Sequence, residues 1–286
     1  MVSTLRLSTD ELAFALLLSD QPVAAQQVLV SSIGRELSKE EAQGRLSAAG
    51  NALFGQGLVD IRDDGSIVSS PVLTEVSLVL TRAAATLRFT LSAPTGQRAL
   101  SYHFLDDAIY EHWVDRGVAH VVSRVSEDAI MEGCVAFFNL SDLQEIAAVT
   151  GMLPDPVFRQ ALGQRDVTAT IGLLRDYGIA EDTGVLLAED MVHTQAIGDM
   201  LAIYYHGDNR APMSDEGCLV VLGQQRFWLF QPVKQGEDVQ VMLLPGTIDS
   251  MREQVQRLTR VCRQIAAREA AVARAGKEET HREPAA

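Results

Sequence analysis

Residues Leu219–Pro232 read LVVLGQQRFWLFQP, an apolar run interrupted at Gly223-Gln224. Two strands meeting at a tight turn there make a β-hairpin, with Leu219–Leu222 opposite Gln225–Gln231. A two-residue turn opposes Leu222 to Gln225 and Val220 to Phe227. Side chains alternate along a strand. One face therefore carries Cys218, Val220, Leu222, Phe227 and Leu229. The other carries Leu219, Val221, Trp228 and Phe230, with Arg226 as its polar member. Antiparallel hairpins usually keep one face polar, and this one has two apolar faces. Burial between two halves of the chain is the favoured cover for the second face. The alternative is a partner docked on an aromatic surface around Trp228 and Phe230.

A core to receive such a hairpin is available. Of 286 residues, 47% are hydrophobic, which argues against wholesale disorder and allows two domains of ordinary size. The net charge of -14 works against binding nucleic acid or an anionic membrane, both of which need a basic footprint. Protein partners and small ligands stay open. Cys134, Cys218 and Cys262 are far apart and form no CxxC, as expected of buried thiols in a reducing compartment. The opening stretch MVSTLRLSTDELAFALLLSD has Asp10 and Glu11 ahead of its apolar run and reads as an amphipathic helix rather than a signal peptide. No apolar run approaches the ~18 residues of a membrane span. The expected location is the cytoplasm.

The hairpin has a counterpart earlier in the chain, which points to an internal repeat. In the first half a helix from about Lys39 to Phe54 starts with a capping box, Ser38-x-x-Glu41, and carries Ala42, Leu46, Ala49 and Leu53 as its stripe. It is followed by an Asp63-Asp64-Gly65 turn. In the second half a helix capped by Asp166 ends at Tyr177-Gly178, and Asp182-Thr183-Gly184 stands in the place of that turn. Ser70-Pro71 starts the next helix in one half and Glu189-Asp190 in the other. Each half then shows a strand (LRFTL from Leu87, LAIYY from Leu201), a loop (from Ser92, from His206) and a hairpin (Tyr102–Trp113, and the opening stretch). A third strand (Val118–Val125, Val239–Leu244) and a closing helix complete it. Gly57 to Ser126 spans as many residues as Gly178 to Thr247, although the offset drifts between these ends. The expected fold is α+β, as two pseudo-symmetric repeats, each of winged-helix-like helices, an antiparallel sheet and a closing helix. The expected domains are 1–140, 141–270 with a long C-terminal helix, and a disordered tail at 271–286.

In that last helix Ile248, Met251, Val255, Leu258, Cys262 and Ile265 recur at helical spacing before Glu269 breaks the seam. A helix lying along the body is the favoured reading, and a homodimer or partner coiled coil the second. Arg252, Arg257, Arg260, Arg263, Arg268 and Arg274 line the same helix, to pair with the acidic body, hold an acidic partner or face solvent.

The chain offers little chemistry. There is no HExxH, no zinc spacing of His and Cys, no GxxxxGK[ST], GxGxxG or GxSxG. A two-residue turn at Asp106-Asp107 places His103, Tyr110 and His112 on one hairpin face, a minor candidate for proton shuttling or metal binding. No catalytic residue, metal ligand or cofactor is expected. A winged-helix regulator is an alternative class, but Lys39 and Arg45 are offset by Glu40 and Glu41 on the helix that would read DNA.

Three stretches are similar to the EspG family of type VII (ESX) secretion chaperones. They are LSTDELAFALLL, then LFGQGLVDIRDDGSIVSSPVLTEVSLVLTRAAATLRFTL, and GCLVVLGQQRFWLFQP followed by VQVMLLPGTIDSMREQVQRL. The resemblance covers most of residues 5–262. It implies a mixed α/β fold with quasi-twofold halves, in a bacterial protein that binds the tips of secreted PE–PPE pairs in the cytoplasm and keeps them soluble. The long last helix and its arginines depart from the family's pattern. The expected function is thus a non-enzymatic chaperone or adaptor, with Arg226, Trp228, Phe230, Leu258 and Ile265 as candidate partner-binding residues.

Overall fold

A computed structural model of the chain describes residues 4–115, 117–147, 151–206, 211–236 and 238–280. The chain opens with β1 (Thr4–Ser8), α1 (Thr9–Leu18), α2 (Pro22–Ile33) and α3 (Lys39–Gly55). A small ribbon follows, β2 (Val59–Ile61) and β3 (Ile67–Ser69), then α4 (Pro71–Arg82). Four strands come next: β4 (Ala85–Ala93), β5 (Gly96–Leu105), β6 (Ala108–Asp115) and β7 (Ala119–Val125), closed by α5 (Asp128–Phe138). Then come β8 (Gly151–Pro154), α6 (Asp155–Gly163), α7 (Val167–Asp176) and α8 (Glu181–Val192). The chain continues through β9 (Ala196–His206), β10 (Ala211–Leu222), β11 (Phe227–Gln235) and β12 (Asp238–Leu244) into α9 (Ile248–Thr280). The fold class is α+β, with helices segregated from antiparallel strands.

Two compact units divide the chain differently from the expected 1–140 and 141–270. The first comprises Met1–Ala85, Ser101–Ser126 and Ala266–Ala286; the second comprises Thr86–Leu100 and Glu127–Ile265. In the first unit the strand order is β1-β7-β6-β5. Its core gathers Leu12 and Leu16 of α1, Leu53 of α3, Leu73 and Val76 of α4, and Val122 of β7. In the second unit the order is β4-β9-β10-β11-β12-β8. Its core places Phe158 of α6, Leu174 of α7 and Leu187 and Met191 of α8 against Val221, Trp228, Phe230, Val241 and Leu243 of the sheet.

Local chemistry explains the boundaries. Ser8 and Glu11 form a reciprocal capping box on α1, with Oγ accepting from the Glu11 N–H at 3.2 Å and the carboxylate accepting from the Ser8 N–H at 2.6 Å. The box expected at Ser38 is half made: Ser38 caps Glu41, but the Glu41 carboxylate turns to Arg35 at 2.8 Å. Asp166 caps α7 as expected, accepting from the Ala169 N–H at 2.8 Å.

The second unit departs from the expected repeat. Asp182-Thr183-Gly184 is no turn but lies at the start of α8, where Glu181 and Asp182 complement the helix dipole. Glu189-Asp190 consequently falls at the end of that helix, not at its start. The ribbon of β2 and β3 has no counterpart among the described residues between α7 and α8. The loop expected from His206 through Gly217 is strand wherever it is described: His206 ends β9 and Ala211–Leu222 is β10, while residues 207–210 lie outside the described ones. The expected disordered tail is helical from 271 to Thr280, because α9 runs on, while 281–286 lie outside the described residues.

Candidate functional site

In the first unit, β5, β6 and β7 deliver three histidines to one face. On β6, alternation aligns Tyr110, His112 and Val114, and Val114 stands opposite His120 of β7. His120 thereby becomes the diagonal neighbour of His112. His103 Nε2 lies 3.4 Å from His112 Nδ1, and His112 Nε2 lies 3.0 Å from His120 Nδ1. Ring centroids are 5.6 and 5.3 Å apart, with planes inclined by 29° and 25°. The result is a stack of three imidazoles in a hydrogen-bonded series.

The structure thus joins His103 and His112 as the hairpin reading expected, and adds His120. The signal for His120 was available: a short turn after Asp115 puts it two positions from His112 on the same face. Successive contacts use opposite nitrogens of His112, so the rings do not converge. Among the described residues no group of three or more His, Cys, Asp or Glu is arranged to hold a metal ion. Burial lowers the His120 pKa and favours its neutral form.

Tyr110, the third residue of the expected cluster, turns away and gives its hydroxyl to Glu75 Oε1 at 2.5 Å. Burial, and then the Glu75 carboxylate, push its pKa up to about 12. The folded value is above the ordinary ~10, so the stability this contact contributes is fully present below pH ~10 and is lost as pH rises toward 12. Urea unfolding across that window is expected to show a steeper loss for the natural protein than for Tyr110→Phe. Parallel curves for the two would remove the contact from the stability balance.

In the second unit, the hairpin of β10 and β11 is pinned by one carboxylate. Asp190, at the end of α8, is 3% exposed. Its Oδ2 accepts from Trp228 Nε1 at 2.9 Å and from Arg226 Nε at 2.7 Å, and Arg226 also reaches Glu189 at 3.4 Å. A Cβ at Gly223 would lie 2.1 Å from Asp190 Oδ1, so only glycine fits where the turn crosses the carboxylate. The turn is longer than expected. Leu222 pairs with Phe227, Val221 with Trp228 and Val220 with Leu229, which leaves Gly223–Arg226 as the connection. The register differs from the expected one by two residues, an even number, so both faces keep their predicted side chains.

Both faces are covered. Trp228 and Phe230 are 0% exposed and pack beneath α6, α7 and α8 of their own unit, not between two halves and not under a partner. On the opposite face Cys218, Val220, Phe227 and Leu229 are buried as well. Here α9 contributes buried Met251, Val255 and Leu258, and its Arg257 donates to the Gly217 carbonyl at 3.0 Å.

The candidate partner-binding residues are therefore corrected. Trp228, Phe230 and Leu258 are core, and Arg226 is held by Asp190 with its side chain 15% exposed. Ile265 is half-buried, and Cys262 beside it in the seam is fully buried, so 251–262 is no free coiled-coil face. The helix's arginines pair with the acidic body in part: Arg257 with Glu216 and Arg263 with Glu127. All three cysteines are buried. Burial pushes Cys218 and Cys262 up to about 12 and Cys134 higher still, which keeps them as inert thiols. Among the described residues no helix is long and apolar enough to cross a membrane.

This architecture is shared with a solved chaperone. The chain superimposes with a TM-score of 0.67 on the Mycobacterium tuberculosis type VII secretion system chaperone EspG5, solved in complex with the PE25-PPE41 dimer. The match is 13% identical in sequence and covers 90% of this chain and 96% of that one, which shows a common fold. The family model described as "Uncharacterised protein YfjC" matches residues 4–250, and the chain belongs to that family. No curated protein matches it.

Proposed function

We propose that the chain is a non-enzymatic chaperone or adaptor that holds a protein partner in the cytoplasm, a secreted substrate being the favoured kind. The observation that carries this reading is the likeness to EspG5 over 90% of this chain and 96% of that one, a likeness that extends through both units. The acidic charge of -14 agrees with a protein partner rather than nucleic acid.

With Trp228 and Phe230 in the core, the contact surface belongs elsewhere, and the ribbon of the first unit is the best candidate. Ile61 and Ile67 face each other across β2 and β3 and are 56% and 47% exposed; Phe54, near the end of α3, is 52% exposed. Exposed apolar clusters of this kind mark docking surfaces. Cross-linking in the native host followed by co-purification is expected to recover a stoichiometric protein partner. Recovery of the free chain alone would overturn the proposal. Ile61→Asp with Ile67→Asp is expected to lose that partner while unfolding within about 0.5 kcal/mol of the natural protein, as exposed substitutions do. Retained binding by the double variant would move the surface away from the ribbon.

A further inference from the structure

A cavity of about 390 Å³ opens in the second unit where the end of α8, the start of α7 and the Gly223–Arg226 connection meet. That volume lies within the ~300–1,000 Å³ typical of small-molecule sites. The connection contributes Gln224, Gln225 and Arg226, α8 contributes Glu189 and Asp190, and Val167 supplies an apolar side. We propose that this cavity binds a guanidinium group on a short aliphatic stem, with the guanidinium between Asp190 and Glu189 and the stem against Val167.

Each carboxylate is half used. Arg226 donates to Asp190 Oδ2 through Nε at 2.7 Å and to Glu189 Oε2 through a terminal nitrogen at 3.4 Å. Trp228 donates to the same Oδ2. Asp190 Oδ1 and Glu189 Oε1 accept nothing among the described residues. Asp190 is 3% exposed, and an oxygen without a donor is costly in such a place. Among the described residues Asp199 Oδ1 is the side-chain atom both sealed from solvent and unpartnered; Asp190 Oδ1, unpartnered as well, is therefore open to the cavity. Gly223 keeps it uncovered, because the Cβ that glycine lacks would stand 2.1 Å from it.

Charge also favours a cation. The carbonyl end of a helix carries about half a negative charge and suits a basic residue. α8 has no basic residue in its last turn and places Glu189 and Asp190 there instead. Against two carboxylates and the helix end, Arg226 is the one permanently cationic side chain among the described lining residues, which leaves the cavity negative by about one charge. Glu189, Asp190 and His193 are not arranged to hold a metal ion, so an organic cation is the fitting guest. A guanidinium suits the site better than an ammonium, because it is planar, carries several donors and is more weakly hydrated. Two of its donors meet Oδ1 and Oε1, and the exposed Gln224 and Gln225 side chains bring amide oxygens for others. The connection is already held in shape. The Gly223 N–H donates to the Arg226 carbonyl at 2.9 Å and the Gln144 N–H to the Gln225 carbonyl at 2.7 Å, so binding requires little further ordering.

The test uses the indole of Trp228, which donates to Asp190 at 2.9 Å and so reports on that carboxylate. Trp113 of β6, in the first unit, is the other indole of the chain and the internal control. The full chain, isotope-labelled for NMR, is titrated with Nα-acetyl-argininamide, agmatine and Nα-acetyl-citrullinamide at about pH 8, above the ordinary imidazole range. Both guanidinium probes are expected to move the Trp228 N–H signal saturably at millimolar concentration and to leave Trp113 in place. The citrulline amide, of similar shape without the charge, is expected to move neither. Tighter binding of the capped arginine than of agmatine assigns the group to a polypeptide, and the reverse order to a free small molecule; either order supports the site. Glu189→Gln, at a side chain 49% exposed, is expected to fold and to weaken both probes by about tenfold, the loss of one charged contact. The citrulline comparison is made on the natural chain and stands whatever the variant does. No saturable movement of Trp228 with either guanidinium, an equal response to the citrulline amide, or unchanged affinity in folded Glu189→Gln would each overturn the proposal.

Discussion

Asp190→Ala is expected to lower the free energy of unfolding by about 3–5 kcal/mol, the cost of removing one partner from a buried ion pair. The size follows from what is left behind. Asp190 and Arg226 side chains are 4% and 15% exposed, so the guanidinium keeps its charge in a poorly hydrated place when the carboxylate goes. Trp228 also loses the acceptor of its buried N–H. A buried donor left unpaired is costly in its own right. Chemical denaturation measures the loss. Because both losses pass through one carboxylate oxygen, Asp190→Ala combined with Arg226→Ala is expected to cost less than the sum of the two single variants. A loss below about 1 kcal/mol for Asp190→Ala would mean that water reaches the site and that the carboxylate does not pin the hairpin.

Phe230→Ala is expected to cost about 3–5 kcal/mol, the range for emptying a buried aromatic site. Phe230 is fully buried, and its ring centroid lies 4.6 Å from that of Phe158 on α6. The walls of the resulting cavity are a strand and three helices already packed on one another, which limits how far they can collapse. This variant separates the two uses of an aromatic strand. A docking residue loses the partner and leaves stability nearly untouched; a core residue loses stability first. Near-natural unfolding of Phe230→Ala would return the residue to the surface.

The hairpin also shows what the sequence makes legible. Period-two alternation assigned Trp228 and Phe230 to one face and Phe227 and Leu229 to the other, and those faces are correct. The register was not legible, because it depends on Gly223 and Arg226 meeting a carboxylate on α8, a contact between residues distant in sequence. The same distance hid the cover over Trp228. Three amphipathic helices, α6 to α8, lie well before the strand they protect, and nothing local announces where they dock. Short edge strands escaped as well. β1 has five residues and β8 four, too few for alternation to stand out, and their pairing partners supply most of the reason they are strands. Glu181 and Asp182 misled in the opposite way: acidic residues before a glycine suit a turn, but they equally suit the first turn of a helix, and tertiary packing chose the helix. Of the candidate site, His103 and His112 were legible from one hairpin, whereas His120 needed the next turn as well.

The pairing of β10 with β11 gives the molecule an uneven tolerance to slippage of that strand. A slip of two residues would preserve the parity of β11, so Trp228 and Phe230 would still point toward α6, α7 and α8. A slip of one residue would turn the strand over. The indole would then be carried to the side of α9, away from its acceptor, and Asp190 left facing an apolar surface. Residues inserted into the connection Gly223–Arg226 are therefore tolerated where the loop absorbs them and Leu222 keeps its place opposite Phe227.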